Sequence, residues 1–164
     1  MLDFFQILEA FDKYKSSMER IGDGIGEYSS NTLLDKLYFF ELTLFCFLTG
    51  NNDMHLKNFS MIDTGSSWSL SPAYDLLNTV IINPDDTEEL ALTLGGKKKK
   101  LKKVHFEQLG KGMGLNARQI ESVFRRFENK KPEAMTWIRR SFLSEEYKEK
   151  YNVLIEERYL RITK

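Results

Sequence analysis

The chain has 164 residues, of which 41% are hydrophobic and 13% aromatic. This is enough for one globular domain with a core, and too apolar for a disordered chain. Because 24 basic residues balance 24 acidic ones, the composition argues against a general attraction to nucleic acid or to an acidic membrane surface.

The single cysteine, Cys46, excludes a disulfide framework or a cysteine-based zinc site within the chain. It lies in an apolar run, residues 42–48, where we expect a buried thiol that packs as a small hydrophobic side chain. The most apolar stretch, residues 37–48, is shorter than the roughly 20 residues that a membrane span needs. No basic region or small-residue cleavage site of a signal peptide follows Met1. We therefore expect a cytoplasmic protein that does not contact a membrane.

The first third of the chain predicts two helices. Residues 2–14 carry apolar side chains at helical spacing and predict an amphipathic helix. Three glycines within residues 21–26 interrupt this pattern and predict a flexible loop. Ser30 and Asn31 are candidate N-caps for the second helix, Thr32–Thr49. The inner part of this helix is apolar nearly all round, which indicates a buried core helix.

A polar loop and a small β unit are predicted next. Gly50 is suited to end the core helix, and residues 51–58 form the polar loop. Residues 59–62 and Trp68–Leu70 are two short strand-like runs on either side of a turn. Farther on, Gly95 and Gly96 predict a two-residue hairpin turn whose returning strand would be residues 97–103.

The chain from residue 104 onward shows a helical pattern. Pro132 suits a first helical position and would begin a helix over residues 133–142. Ser144 is a candidate cap for the last helix. The sequence therefore predicts a fold that is mainly α, with a small β-hairpin insert after the central buried helix.

The polar loop concentrates side chains that carry chemistry. Asp53, His55, Lys57 and Asn58 lie within six residues, directly after the buried helix. A second acid, Asp75, follows the hairpin among apolar neighbours, where a buried carboxylate would need a partner such as a divalent cation. Phosphoryl transfer uses such a set: one carboxylate orients the acceptor hydroxyl, while an amide oxygen and a second carboxylate hold Mg²⁺.

The spacing of these residues follows the catalytic loop of protein kinases. Asn58 lies five positions after Asp53 (58 − 53), as the kinase asparagine follows its catalytic aspartate, and Asp75 lies 22 positions after Asp53 (75 − 53). The typical His-Arg-Asp and Asp-Phe-Gly motifs are replaced by Asn-Asn-Asp at 51–53 and Asp-Leu-Leu at 75–77. The sequence therefore does not predict a typical eukaryotic protein kinase.

Three segments together resemble the HipA-like kinases, a family of bacterial serine/threonine kinases that includes toxins of toxin–antitoxin pairs. They are Gly-Asn-Asn-Asp-Met-His-Leu-Lys-Asn-Phe-Ser at 50–60, Leu-Ser-Pro-Ala-Tyr-Asp-Leu at 70–76, and Leu-Ala-Leu-Thr-Leu-Gly-Gly-Lys at 90–97. The resemblance covers roughly residues 1–128. Either of the first two motifs alone is weak, whereas both in this order and spacing are specific.

The resemblance implies a role for each residue of the loop. Asp53 would be the catalytic aspartate, and Asn58 and Asp75 would hold the Mg²⁺ that accompanies ATP. Lys57 would neutralise charge on the transferring phosphoryl group. His55 matches a histidine of the family motif, for which we expect an orienting role rather than proton transfer.

The resemblance also implies that residues 1–164 form only the C-terminal lobe of a protein-kinase-like fold of the HipA type. The N-terminal lobe, with its glycine-rich loop and ATP-binding lysine, is not recognisable. Residues 22–26 (Gly-Asp-Gly-Ile-Gly) lack the third glycine of Gly-x-Gly-x-x-Gly, because Glu27 occupies that position. We expect the isolated lobe to bind ATP weakly and to be inactive. Implied partners are the missing lobe, an antitoxin and a protein substrate such as an aminoacyl-tRNA synthetase, without direct binding of nucleic acid.

Two other functions remain open on sequence grounds. Asp53, His55 and Asn58 also match the Asp-x-His-x-x-Asn loop of phosphoinositide kinases, which allows a phosphotransferase acting on lipids or small molecules. The chain could also be a non-catalytic module that keeps these residues and binds a partner.

Overall fold

The computed structural model of the chain describes residues 1–163. Within this range the fold is mainly helical, with one small antiparallel sheet. The helices are α1 (Phe4–Ile7), α2 (Met18–Tyr28), α3 (Thr32–Thr49), α4 (Lys103–Gly112), α5 (Ala117–Arg140) and α6 (Glu145–Thr163). The strands are β1 (Leu2–Asp3), β2 (Ser60–Asp63) and β3 (Trp68–Leu70), and a 3-10 turn spans Leu56–Asn58.

The sheet contains the predicted hairpin and one additional strand. β2 pairs with β3 in antiparallel register, with Met61 opposite Leu70. β1 pairs with the other edge of β2, with Leu2 opposite Met61. The prediction of a mainly α fold with a β-hairpin is therefore confirmed in outline, but the hairpin is part of a three-stranded sheet.

The predicted helix over residues 2–14 is wrong. Its first residues form β1, which pairs with β2. The backbone N–H of Phe4 donates to the Phe59 carbonyl at 2.9 Å and continues this pairing. The helix that follows has only four residues, and Glu9 adopts a left-handed φ of 48° shortly after it ends. The apolar spacing instead places fully buried Phe4 in the core. Helical periodicity was misleading because a pairing more than 50 residues away determines the local conformation.

The predicted flexible loop over residues 21–26 is also wrong, because these residues belong to α2. Ser17 caps this helix by accepting a hydrogen bond from the Arg20 N–H at 3.2 Å. The glycines allow close packing: a Cβ on Gly22 would lie 2.8 Å from the Met113 sulfur, and one on Gly24 would lie 2.8 Å from the Phe4 ring. Tertiary packing therefore overcomes the low helix propensity of glycine.

The predicted core helix, Thr32–Thr49, is confirmed as α3. Phe39, Phe40 and Phe47 on this helix are fully buried, as is Cys46. The helix ends as predicted at Gly50, which has a left-handed φ of 73°. α3 contacts α2 and α6 and forms the centre of the fold. No helix within residues 1–163 has the length and apolar character needed to cross a membrane.

The C-terminal half agrees with the prediction only in part. Gly95 and Gly96 form the predicted tight turn, and Leu94 and Lys97 exchange two backbone hydrogen bonds across it. Residues 97–103 do not form the returning strand. Pro132 lies inside the continuous helix α5 rather than at a helix start, because Asn116 already caps this helix and its periodic apolar face continues through Ile138. Ser144 precedes α6 and accepts from the Tyr147 N–H, as expected of a cap.

Candidate active site

The polar loop begins where Gly50 ends the core helix. A Cβ at this position would lie 2.5 Å from the Leu154 Cδ2 atom, so α6 packs directly against the base of the loop. The Gly50 carbonyl accepts hydrogen bonds from the Thr79 and Val80 N–H groups, at 3.1 and 3.3 Å. The start of the loop is therefore held between α6 and the segment that follows Asp75.

Two buried asparagines attach the loop to later parts of the chain. The Asn51 amide donates to the Asp75 carbonyl at 3.1 Å, and its oxygen accepts from the Asp53 N–H at 3.3 Å. The Asn52 amide donates to the Asp86 carboxylate at 3.0 Å. Because both asparagine side chains are buried and hydrogen-bonded, they restrict where Asp53 can lie.

The structure brings Asp53, Asn58 and Asp75 together. The Asn58 amide donates to the Asp53 carbonyl at 3.2 Å and to the Asp75 carboxylate at 2.7 Å. Asp75 adopts a left-handed φ of 56°, which a non-glycine residue adopts only at a cost. A single buried amide therefore links the loop to the residue beyond the hairpin.

One premise about Asp75 is wrong. The sequence places it among apolar residues and so suggests a buried charge, but its side chain is exposed. The neighbouring Leu76 and Leu77 are exposed as well, at 41% and 61%. The contact with Asn58, and not burial, therefore defines the surroundings of this carboxylate.

The Asp53 carboxylate has one engaged oxygen. Its Oδ1 accepts a hydrogen bond from the Tyr14 hydroxyl at 2.8 Å. This bond, with smaller effects of burial and charge, raises the pKa of Tyr14 to about 12. Both residues line a cavity of about 350 Å³, whose wall also includes Asp86 and Glu88. The half-buried carboxylate thus faces a space large enough for a side chain of another molecule.

The His55 ring is held in one orientation. It is 7% exposed, and its Nε2 lies 2.9 Å from the Lys13 ammonium. Burial lowers the pKa of His55, and the nearby charge of Lys13 lowers it further. Because an ammonium only donates hydrogen bonds, Nε2 accepts and the proton of the neutral ring is on Nδ1. Nδ1 is buried and has no hydrogen-bond partner within residues 1–163.

Lys57 is not brought to the other candidate residues. Its ammonium lies 4.8 Å from the centroid of the Phe5 ring. Within residues 1–163 it forms no hydrogen bond with Asp53, Asn58 or Asp75. The side chain is exposed, so its flexible stem leaves other orientations open to it.

Residues 1–135 match the model of the HipA-like C-terminal domain. The chain belongs to this family. The resemblance to the HipA-like family, which rests on residues 50–60, 70–76 and 90–97, is thus confirmed by a comparison that covers most of the chain.

Two curated proteins match part of the chain. The protein named "Putative kinase Y4dM" of Sinorhizobium fredii is 33% identical over 123 residues, which cover 72% of this chain and 30% of that protein. A protein of Haemophilus influenzae, named "Putative kinase", is 36% identical over 63 residues, which cover 38% of this chain and 18% of that protein. The matched part of the chain therefore spans less than a third of either relative.

A solved structure supports the HipA-like fold. HipA of Shewanella oneidensis, from the complex of this toxin–antitoxin protein with HipB and operator DNA, superimposes with a TM-score of 0.76. The two chains are 23% identical, and the match covers 90% of this chain and 36% of HipA. At this level of identity the likeness establishes the fold of the HipA-like domain, and no more.

Sequence reasoning missed two residues beside the site of this HipA-like domain. Tyr14 and Lys13 lie in a segment predicted as helix, yet they contact Asp53 and His55. No local pattern distinguishes them from other surface residues. The Leu56 N–H of the 3-10 turn donates to the Lys13 carbonyl at 3.1 Å and joins the two segments, a contact that only the tertiary structure reveals.

Proposed function

We propose that this HipA-like domain is the catalytic lobe of a serine/threonine protein kinase that transfers the γ-phosphate of ATP to a protein hydroxyl. The observation that supports this most directly is the Asn58 amide, which bridges the Asp53 carbonyl and the Asp75 carboxylate. Phosphoryl transfer relies on positioning and charge neutralisation more than on covalent chemistry of the protein. A catalytic loop connected to a metal-binding aspartate is the arrangement that such a reaction needs.

The side chains present fit a magnesium ion. The Oδ1 atom of Asn58 accepts no hydrogen bond from residues 1–163, and the Asp75 carboxylate is exposed. Mg²⁺ prefers oxygen ligands and is usually held by one or two carboxylates together with phosphates of the substrate. Within residues 1–163 no three histidine, cysteine or acidic side chains are grouped so that they could hold a metal ion. A magnesium ion at Asn58 and Asp75 would therefore take its other ligands from the phosphates of ATP and from water. Bound there, Mg²⁺ would neutralise charge on the phosphates of ATP.

In this proposal Asp53 accepts the proton of the acceptor hydroxyl. Tyr14 engages only one of its two carboxylate oxygens, which leaves the other for the acceptor. His55 orients the loop, because its Nε2 lone pair is already engaged by Lys13. Lys57 takes part only if its ammonium turns away from the Phe5 ring toward the transferring group.

The remaining parts of the kinase would lie outside residues 1–164. The relatives are several times longer than their matched segments, which leaves room for an N-terminal lobe that supplies the glycine-rich loop and the ATP-binding lysine. The glycines of residues 22–26 do not supply them, because they are part of helix α2. The isolated domain would then bind ATP weakly and transfer little phosphate.

The partners follow from the same proposal. HipA of Shewanella oneidensis is part of a toxin–antitoxin complex with HipB and operator DNA. We extend the antitoxin partner to this protein, with an aminoacyl-tRNA synthetase as a candidate substrate and without direct contact between this domain and nucleic acid. Cytoplasmic action on such a substrate completes the proposal.

The test uses the complete kinase, that is, this chain with its N-terminal lobe, and labelled ATP. We expect Asp53→Asn to lower phosphate transfer to protein about 10²–10⁴-fold, the usual effect of losing a general base. Asp23→Asn, on the exposed face of α2, is the matched control and should keep full activity. Transfer by Asp53→Asn at the rate of the unchanged kinase would refute the proposal.

Two alternatives are separated by further assays. A panel that offers protein, inositol lipid and aminoglycoside would identify a lipid or small-molecule phosphotransferase by its preferred acceptor. An NMR titration of the isolated chain with Mg²⁺–ATP tests a non-catalytic module. Chemical-shift changes that avoid Asp53, Asn58 and Asp75 would favour the module.

A further inference from the structure

The segment of residues 12–14 lies across the candidate catalytic loop, although about 40 positions separate them in the chain. The Tyr14 hydroxyl donates to Asp53, and the Lys13 ammonium lies 2.9 Å from the His55 Nε2. The Leu56 N–H donates to the Lys13 carbonyl at 3.1 Å, which joins the two backbones. These contacts reach Asp53, His55 and Leu56, which are proposed functional residues or lie next to one.

Tyr14 is itself held in place by its surroundings. Its ring packs edge-on against His55, with the ring centroids 5.1 Å apart. Its backbone N–H donates to the Asp12 carboxylate at 2.9 Å. A hydroxyl on a ring with only two rotatable side-chain bonds loses little conformational entropy when it forms a hydrogen bond. Tyr14 therefore offers Asp53 a donor whose position is set in advance.

We propose that Tyr14 is a positioning residue of the phosphoryl transfer, which fixes the Asp53 carboxylate so that its second oxygen faces the acceptor hydroxyl. This inference rests on the function proposed above. Within residues 1–163 the Asp53 carboxylate receives a side-chain hydrogen bond only from Tyr14. Without that bond the carboxylate would rotate, and displacement of a reacting group by about 1 Å can cost a large part of the rate.

The same contact could instead block the site, with the Tyr14 hydroxyl occupying the place of the acceptor. The cavity favours positioning. Tyr14 and Asp53 both line a space of about 350 Å³, so the tyrosine forms part of the wall and leaves the carboxylate accessible. Asp53 itself is only half-buried, so Tyr14 does not seal it from solvent.

The test is Tyr14→Phe in the complete kinase, since this change removes the hydroxyl and keeps the ring against His55. We expect kcat to fall about ten- to a hundredfold, as for loss of a hydrogen bond to a charged group, while KM for ATP stays within about twofold. Tyr147→Phe, on the solvent-facing side of α6, is the matched control and should change neither constant. kcat is expressed per folded molecule, with the folded fraction taken from circular dichroism, so a purely structural role would leave it unchanged.

The double variant Tyr14→Phe/Asp53→Asn shows whether the two residues act together. If Tyr14 acts through Asp53, the double variant should be no slower than Asp53→Asn alone. Unchanged or increased kcat in Tyr14→Phe, or additive losses in the double variant, would overturn the inference while leaving the proposed kinase intact. Full activity in Asp53→Asn would instead refute the kinase itself.

Discussion

The Asn58 amide donates a hydrogen bond to the Asp75 carboxylate at 2.7 Å across 17 positions of sequence. The strands β2 and β3 lie between these residues, and their antiparallel pairing returns the chain to the loop. The same amide contacts the Asp53 carbonyl. The hairpin thus acts as a spacer that sets the distance between the loop and the second carboxylate.

Replacement of the second carboxylate should weaken the proposed metal site. In Asp75→Asn the charge is lost while the size of the side chain is kept, so we expect the Mg²⁺ concentration for half-maximal activity of the complete kinase to rise about tenfold or more. Asp23→Asn serves as the control for loss of one acidic charge. An unchanged Mg²⁺ requirement in Asp75→Asn would remove this residue from the site.

Gly50 should tolerate no side chain. Its left-handed φ of 73° disfavours other residues, and a Cβ would lie 2.5 Å from the Leu154 Cδ2 and 3.0 Å from the Asn78 Oδ1. We expect Gly50→Ala to lower the free energy of unfolding by about 1–3 kcal/mol, measured by urea denaturation of the isolated chain. In Gly112→Ala, where nothing lies within 4 Å of the new Cβ, the change should stay within about 1 kcal/mol. Equal effects at both sites would contradict the packing of α6 against the loop.

A buried ion cluster should be essential for attaching α6. The Glu89 carboxylate is buried, accepts from the Leu101 N–H at 2.8 Å and pairs with Arg161. The Arg158 Nη1 lies 3.4 Å from it. Burial lowers the pKa of Arg158, and the charge of Glu89 opposes this shift. Glu89→Gln leaves these arginines without their buried countercharge, so we expect a loss of about 2–4 kcal/mol in unfolding free energy.

The control for this change is Glu157→Gln, which removes the more exposed partner of Arg161. An exposed ion pair contributes at most about 1 kcal/mol, so urea denaturation should show a small effect. Since the family match ends at residue 135, a large effect at Glu89 would show that a helix beyond the match is needed for stability. A small effect at both glutamates would show that the cluster is dispensable.

Cys46 should be unreactive in the folded chain. Burial raises the pKa of its thiol to about 12, whereas the pKa of an unfolded thiol is about 8.5. The folded state therefore retains a proton that the unfolded state loses, and the thiol's contribution to stability is complete below pH 8 and declines as the pH rises through 9 and 10. We expect Ellman's reagent at pH 8 to react slowly with the native chain and rapidly in urea.

Comparison with Cys46→Ala isolates this effect. The free energy of unfolding should fall less between pH 8 and pH 10 in Cys46→Ala than in the unchanged chain. The difference should be about 1.4 kcal/mol for each pH unit above the pKa of the unfolded thiol. Raised tyrosine pKa values, such as that of Tyr159 at about 12, act equally in both proteins. Rapid labelling of the native chain would show that the thiol is accessible.

The elements that sequence predicts best are those whose signals are local. The core helix Thr32–Thr49 has a nearly continuous apolar run and a terminal glycine, and both the helix and its end are confirmed. Two short strand-like runs and a turn predict the hairpin of β2 and β3, which is also confirmed. In each case the residues that specify the element lie inside it.

The elements that were predicted wrongly depend on distant contacts. β1 forms because Leu2 pairs with Met61. The glycine-rich α2 is helical because its small residues fit against Phe4 and Met113. Pro132 is accommodated within α5, where its exposed position reduces the cost of a missing backbone donor. The intrinsic helix propensity of the residues predicts such segments poorly, because tertiary packing decides their conformation.

The order of the amino acids alone specifies which chemical groups the candidate site has to draw on: a carboxylate, an imidazole and an amide on one loop, and a second carboxylate after a hairpin. Which of these groups touch one another follows from the folded packing, which also adds Tyr14 and Lys13 to them. This division arises because helix and turn signals come from near neighbours in the chain. Contacts across about 40 positions exist only after the apolar faces of several elements have packed together.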